Sequence, residues 1–393
     1  MKQITIVGGV GHVGLPFGVV LANKGFKVIA YDISTANVDL VNSGQFPFIE
    51  SGGDVLLKNA LENKTFEASS DPKSLLNSEI IILVIGTPVD EHLSPDPSAV
   101  IVHIKNILNY IANAKLLILR STLFPGVSEK VLKLIKNAHP DLEVVYCPER
   151  ILEGKAVDEL TSLPQIIGAD SDTAYLLAKE IFETLGIKTL RTTFEEAELA
   201  KLFTNVWRYL KFAAANQFWM MSNDLGIDYE KVREAITFEY PRAQDLPSAG
   251  FSAGPCLFKD TMQLSALVKQ NFPLGNSAMM INEGIPGYLI AKLKQKHDLS
   301  QLRVGILGMA FKADVDDNRS SLAYKLRKLL VFDCLEVRCT DPYVRDNRLV
   351  DLDTVLEKSD LLIIGAPHTL YKELKFHKPV IDIWNLFGDG VLV

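Results

Sequence analysis

The chain has 393 residues, 48% of them hydrophobic, and a formal net charge of −7. That apolar content supports two or three packed domains. The acidic balance excludes binding of nucleic acid through a general basic surface, although an anionic small molecule needs only a local cationic pocket. No apolar run reaches the roughly 18 residues of a membrane-spanning helix. "MKQITIVGGV" enters a strand pattern without a signal-peptide layout, so a cytoplasmic protein is expected.

"ITIVGG", "KVIAYD", "EIIILVIGT", "KLLILRST" and "LEVVYC" are short apolar runs separated by amphipathic stretches. This rhythm predicts a parallel sheet with helices on both faces. With the strand and turn of "PQIIGADS", the first domain is set at residues 1–192. A helical domain is expected over 193–298. "TTFEEAELAKLFTNVWRYLKFAAANQFWMMSNDLG" holds no proline and no internal glycine. Thr193 and Glu196 make a capping-box signature, and Gly226 is a natural stop. One helix of about thirty residues would span roughly 45 Å, a length often used as a dimer interface. Helical sequence resumes in "YEKVREAIT" and from Gly275 to His297, with a break expected at Ile285-Pro286-Gly287. Over 299–393, "RVGILG", "EVRCTDP", "DLLIIGAP" and "PVIDIW" restore the alternation. The fold class is therefore α/β: two Rossmann-like doubly wound domains joined by a helical domain with one long central helix.

"IVGGVGHVG" supplies Gly9, Gly11 and Gly14 as G-x-G-x-x-G between a strand and a helix. Such a loop lets the backbone approach a pyrophosphate at a helix N-terminus. Asp32, ending "VIAYD", stands where an acid binds the adenine ribose and would repel a 2′-phosphate, which favours NAD over NADP. His12 within the loop reads as a packing residue. Lys201 and Asn205 share a helix face, continued by Arg208. They form either a solvated strip or a cation and amide aimed at a developing oxyanion. Glu149 and Glu153 in "CPERILEG", and Thr122 in "RSTLFPG", lie beyond strand ends where open α/β sheets bind ligands. An acid there could equally cap the next helix. "GMAFKADVDDNRSS" carries Lys312 and Arg319, cations that suit a nucleotide diphosphate or simply a charged surface loop.

The four cysteines are Cys147, Cys256, Cys334 and Cys339. They form no CxxC pair and no zinc spacing, so neither a structural metal nor a thiol redox centre is expected. Cys334 and Cys339 in "FDCLEVRC" are expected on opposite faces of a strand, as packing residues. Cys256 in "GFSAGPCLFKD" is followed by Lys259 and Asp260. A neighbouring cation favours a thiolate, so a nucleophile stands beside a buried inert cysteine as a reading of this residue.

Together, "GGVGHVGLP" with Asp32, "GTP" at 86–88, "RSTLFPG", "PERILEG", Lys201 with Asn205, "GPCLFKD" and "AFKADVDDNRSS" resemble the nucleotide-sugar 6-dehydrogenases. That group includes UDP-glucose and UDP-N-acetylmannosamine dehydrogenases, and the motifs run in the same order along nearly the whole chain. The resemblance implies NAD-dependent four-electron oxidation of a UDP-sugar C6 alcohol to a carboxylate, for polysaccharide precursors. It implies Cys256 as the nucleophile that forms a thiohemiacetal and then a thioester. Lys201 and Asn205 match oxyanion-stabilising residues, Asp260 with a water near Thr122 matches the proton-transfer group, and Glu153 matches the glutamate of thioester hydrolysis. Glu149, Lys259 and Lys312 would contact substrate, while Thr87 and Arg319 would lie at the cofactor. Arg242 in "YPRAQDLP" resembles an arginine lent to a neighbouring subunit, which implies a homodimer. No metal, nucleic acid or membrane is implied.

The cysteine loop departs from the family pattern at Ala253, Pro255 and Phe258. Pro255 removes a backbone donor. Arg150 and "YPRA…LP" resemble the N-acetylhexosamine branch, whereas "FKD" resembles the UDP-glucose branch. Two rival readings are a two-electron hydroxy-acid dehydrogenase, which needs no cysteine, and a non-catalytic NAD-binding scaffold.

Overall fold

The computed structural model describes residues 2–87, 96–252 and 254–393. Contacts divide the chain into two units, Met1–Thr204 and Asn205–Val393. In the first unit the strands are β1 (Gln3–Val7), β2 (Lys27–Tyr31), β3 (Phe66–Ser69), β4 (Ile80–Leu83), β5 (Leu116–Leu119), β6 (Glu143–Tyr146), β7 (Gln165–Ala169) and β8 (Thr189–Thr192). Helices α1 (Gly14–Asn23), α2 (Thr35–Asn42), α3 (Gly53–Glu62) and α4 (Ser98–Ile107) fall between the early strands. Then come α5 (Val127–Ala138), α6 (Ala156–Glu159) and α7 (Asp172–Thr184).

The sheet order is β3-β2-β1-β4-β5-β6-β7-β8. The direction of winding reverses between β1 and β4, and at such a switch point a crevice opens at the strands' carboxyl ends. Apolar residues bury both faces. In β5, Leu116 and Ile118 join one core while Leu117 and Leu119 join the other. This is the two-residue period of a strand covered on both sides. One pairing departs from the expected parallel sheet: β7 runs antiparallel to β6. The connection between them carries only the four-residue α6, so the chain turns back beside β6 without a full crossover helix.

The long helix α8 spans Phe194–Asp224, 31 residues. Its capping box is formed as the sequence predicts: Glu196 N donates to Thr193 Oγ1 (3.2 Å) and Thr193 N to Glu196 Oε2 (2.8 Å). Gly226 ends it with φ +70°. In the second unit follow α9 (Tyr229–Thr237), α10 (Leu257–Leu267), α11 (Pro273–Lys296), α12 (Leu322–Asp333) and α13 (Leu352–Lys358). The break expected at Pro286 is absent: α11 runs through it unbroken. Pro286 removes one helical hydrogen bond. However, Ile285, Leu289 and Leu293 on its two sides are fully buried, and that packing outweighs the lost bond.

The second sheet is parallel, β10-β9-β11-β12, with β9 (Arg303–Leu307), β10 (Glu336–Thr340), β11 (Leu361–Ile364) and β12 (Val380–Ile381). Its Val304, Ile306 and Ile363 share one core with Trp219 of α8 and Leu289 of α11. The expected arrangement of Cys334 and Cys339 in one strand does not hold. Cys334 is the C-cap of α12, and only Cys339 lies in a strand, buried in β10.

Candidate active site

In the first unit, neighbouring parallel strands deliver candidate residues at their carboxyl ends. The glycine loop follows β1, Asp32 follows β2, Thr87 lies beyond β4, Thr122 beyond β5 and Glu149 beyond β6. Thr87 Oγ1 donates to the Thr122 carbonyl (2.9 Å) and Ile85 N to Ser121 Oγ (2.8 Å), which ties two of these ends together. Pro88, the last residue of "GTP", lies outside the described residues, as does Ala253 of the cysteine loop.

The glycine loop is built for close approach. A Cβ on Gly9 would lie 2.6 Å from Ala30 Cα, and one on Gly14 would lie 2.2 Å from the Gly8 carbonyl oxygen. Gly11 is less constrained, its nearest contact being 3.5 Å. The N-cap of α1, Val13, offers no side-chain hydrogen bond to the helix N-terminus. Backbone N–H groups at such an end suit a phosphate. Asp32, half-exposed, accepts from Val10 N (3.4 Å) and Ser34 N (3.1 Å), so its carboxylate is anchored at the loop and still reachable. These features fit a dinucleotide. Gly8 was not singled out by the motif, yet with φ +79° its Cβ position falls 1.9 Å from the Val84 carbonyl oxygen. A second glycine beside the motif was its only trace in the sequence.

Glu149 is buried and forms an ion pair with Arg120, which is 2% exposed. Its other oxygen accepts from Arg150 N (2.6 Å) and Ile151 N (2.8 Å). Arg120 also donates to Gln165 Oε1 (2.8 Å) and stacks over Phe17 (4.3 Å). Glu149 therefore shapes its own loop. Glu153, further along that loop, brings Oε1 to 3.4 Å from His12 Nε2, and His12 stacks on Phe48 at 4.1 Å. Glu50 holds the loop beyond Glu153 by accepting from Gly154 N (3.1 Å) and Val157 N (3.2 Å).

Lys201 and Asn205 sit one turn apart on α8, 7% and 5% exposed. Burial of both rules out a solvated strip. In the second unit Asn205 Nδ2 donates to Asp260 Oδ2 (2.6 Å), and Asp260 is 0% exposed. Among the described residues its Oδ1 finds no hydrogen-bond partner, and it lies 3.8 Å from Lys259 Nζ. Cys256 is exposed and is the N-cap residue of α10, one turn before Asp260. The structure thus gathers Asn205, Cys256, Lys259 and Asp260 around the first turn of one helix. By contrast, burial pushes the Cys147 and Cys339 thiols up to about 12 and Cys334 up to about 11.

Buried polar residues that no motif announced hold this region. Asn216 accepts from Gly250 N (2.9 Å) and donates to Asn282 Oδ1 (2.9 Å), while Asn282 donates to the Tyr209 carbonyl (3.1 Å). Their signal was an amide on an otherwise apolar helix face. Gly254, with φ +108°, leaves only 2.7 Å between a Cβ and the Phe311 ring. Lys312 follows Phe311 on the segment after β9 and is half-buried. Arg319 lies on the same segment, paired with Asp317 through Nη2 (2.6 Å) and Nε (2.8 Å to the same oxygen). Arg242 is exposed and stands over the Tyr240 ring at 5.9 Å.

Three models of the UDP-glucose/GDP-mannose dehydrogenase family match in order: the NAD binding domain over residues 2–186, the central domain over 195–284 and the UDP binding domain over 305–389. A UDP-N-acetyl-D-mannosamine dehydrogenase of Methanocaldococcus jannaschii is 31% identical, over 94% of this chain and 87% of that protein. Another, from Pyrococcus horikoshii, is 30% identical over 97% of this chain and 95% of its own length. A solved structure of the UDP-D-ManNAc dehydrogenase from Pyrococcus horikoshii aligns with a TM-score of 0.86 and 29% identity, covering 95% of this chain and 91% of that one. Among the described residues no helix is long and apolar enough to cross a membrane. Motifs, fold and similarity agree: the chain belongs to the UDP-glucose/GDP-mannose dehydrogenase family and is an NAD-dependent oxidoreductase.

Proposed function

We propose that this protein oxidises the C6 alcohol of a UDP-sugar to a carboxylate, with UDP-N-acetyl-D-mannosamine the leading substrate. The relatives at 30% and 31% identity carry that sugar in their names, which supports this choice over UDP-glucose. The observation that carries the chemistry is the first turn of α10: an exposed cysteine at the helix N-terminus, with a fully buried, amide-bonded aspartate one turn on.

Bound NAD⁺ would supply the hydride acceptor for each of two successive oxidations. Asp260 takes the alcohol proton through a water, a step to which Thr122 is also assigned. Lys201 and Asn205 stabilise the oxyanions that develop at C6. Cys256 adds as thiolate to the aldehyde, and the helix N-terminus favours its negative charge. The resulting thiohemiacetal is oxidised to a thioester, which retains the reactive aldehyde on the protein. Water, activated at Glu153, then splits the thioester into the carboxylate and the free thiol. Lys259 and Lys312 supply charge to the substrate, with Glu149 shaping the loop beside it. Gly9, Gly11, Gly14, Asp32, Thr87 and Arg319 serve the cofactor.

The reading divides the chain into an NAD domain (1–192), a helical domain (193–298) and a UDP-sugar domain (299–393). It makes the protein a cytoplasmic homodimer that produces polysaccharide precursors, with Arg242 reaching a neighbouring subunit. Exposed Phe203, Trp207, Phe218 and Met221 on one face of α8 support the dimer. The test is NADH released per sugar consumed, across UDP-N-acetylmannosamine, UDP-N-acetylglucosamine, UDP-glucose, UDP-galactose and GDP-mannose. Two NADH with the first, and none in Cys256→Ser that still binds NAD⁺ and UDP, is expected. One NADH per sugar, or turnover untouched by Cys256→Ser, sinks the thioester route.

A further inference from the structure

The second sheet carries an acid where a dinucleotide domain keeps its ribose ligand. Asp341 follows β10 as Asp32 follows β2, yet their surroundings are opposite. Asp32 is half-exposed, whereas the Asp341 side chain is 0% exposed and filled from within. Met309 N (2.6 Å) and Ala310 N (2.9 Å) donate to its Oδ2, and Tyr343 N (2.8 Å) and Val344 N (2.9 Å) to its Oδ1. His368, also 0% exposed, brings Nε2 to 3.0 Å from the same Oδ2. These five donors exceed the about four lone-pair sites of a carboxylate, so a ribose hydroxyl finds no acceptor here.

The other ring nitrogen fixes the tautomer. Asp314 N donates to His368 Nδ1 at 2.9 Å, so Nδ1 is unprotonated and the single ring N–H is on Nε2, aimed at Asp341. Tyr343 and Tyr371 meet the ring edge to face, at 5.0 and 5.5 Å. Asp314 has left-handed backbone, φ +56°, and its carboxylate accepts from Thr369 N (2.9 Å) and Oγ1 (2.6 Å).

These bonds fall on both sides of Lys312. We propose that His368 is a positioning residue for the substrate: with Asp341 it clamps the segment 309–314 and fixes where Lys312 presents its charge to a nucleotide diphosphate. This rests on the reading of Lys312 as a substrate cation. Without the clamp the lysine keeps its charge but samples many positions, which weakens nucleotide binding and leaves the chemistry at Cys256 intact.

The probe is UDP, titrated by calorimetry into the full-length protein, with steady-state kinetics alongside. Lys312→Ala and His368→Phe should each weaken UDP by about tenfold and raise KM for the sugar nucleotide, and in His368→Phe kcat should stay within about twofold with NAD⁺ affinity unchanged. His368→Asn, which keeps an acceptor for Asp314 N, should recover most of the loss. Thr369→Val, at an exposed position, should weaken UDP in the same direction by a smaller factor, which keeps the test open if His368→Phe does not fold. Unchanged UDP affinity in His368→Phe, with loss in Lys312→Ala, overturns the clamp and spares the substrate reading. Unchanged affinity in Lys312→Ala overturns both. An equal fall of kcat and NAD⁺ affinity in His368→Phe would make the residue merely structural and overturn the positioning role.

Discussion

Cys256 and Cys147 show how one residue type takes two chemistries. Cys147 follows the apolar strand β6 and is buried, while Cys256 follows a glycine- and proline-containing loop and is exposed at a helix start. Burial raises Cys147 and Cys339 to about 12 and Cys334 to about 11, so at pH 8 almost none of these thiols is ionised. Iodoacetamide at pH 8 should therefore modify the folded protein at Cys256 first, as read by peptide mapping. Comparable early labelling of Cys147 or Cys339 would contradict the burial. The role proposed for Cys256 rests in the sequence on the lysine and aspartate that follow it in "CLFKD". The roles of Asn216 and Arg120 were not legible there, because their partners Asn282, Gly250, Glu149 and Gln165 come from distant parts of the chain.

At the scale of elements, local signals decided most of the outcome. The capping box of Thr193 and Glu196, and Gly226 at the far end, set the limits of α8 within a residue or two of expectation. Pro286 misled because a proline is read locally, whereas α11 is held by buried neighbours on both sides of it. The link between α8 and α5 is also non-local. Glu198, fully buried on α8, accepts from Gly126 N (2.6 Å) and Ser128 N (2.8 Å) at the start of α5. Burial pushes the Glu198 carboxyl up, opposed by the hydrogen bonds it receives. Glu198→Ala strands the buried Ser128 amide and the half-buried Gly126 amide at a helix end and should destabilise the protein by about 2 kcal/mol, measured by urea unfolding at neutral pH. An unchanged midpoint would mean that water or a backbone shift satisfies those amides.

For the whole molecule, the exposed apolar face of α8 is the feature a lone chain leaves unexplained. Phe203 is 56% and Trp207 59% exposed, with Phe218 and Met221 continuing at helical spacing. Large side chains aligned this way mark an interaction surface more often than a solvated one. Trp207→Asp should shift the solution mass from dimer to monomer in light scattering, with its helical circular dichroism retained. A monomeric wild-type chain would remove the dimer from the reading.

By itself the sequence determined the class of fold, the long helix, the glycine loop after β1 and the family. Each of these depends on residues close together along the chain, or on motifs whose order alone is informative. Strand alternation, capping and a glycine spacing are short-range physics, so they survive being read one segment at a time. The tertiary structure decided which partner each of several buried polar residues takes. It turned β7 against β6, carried α11 through Pro286, and paired Asp260 with Asn205 across 55 positions of sequence. It also spent Glu149 on Arg120 and Asp341 on His368, where an isolated reading sees an acid at a strand end. The physical reason is that a buried polar group must find a partner, and only the folded chain says which one is within reach.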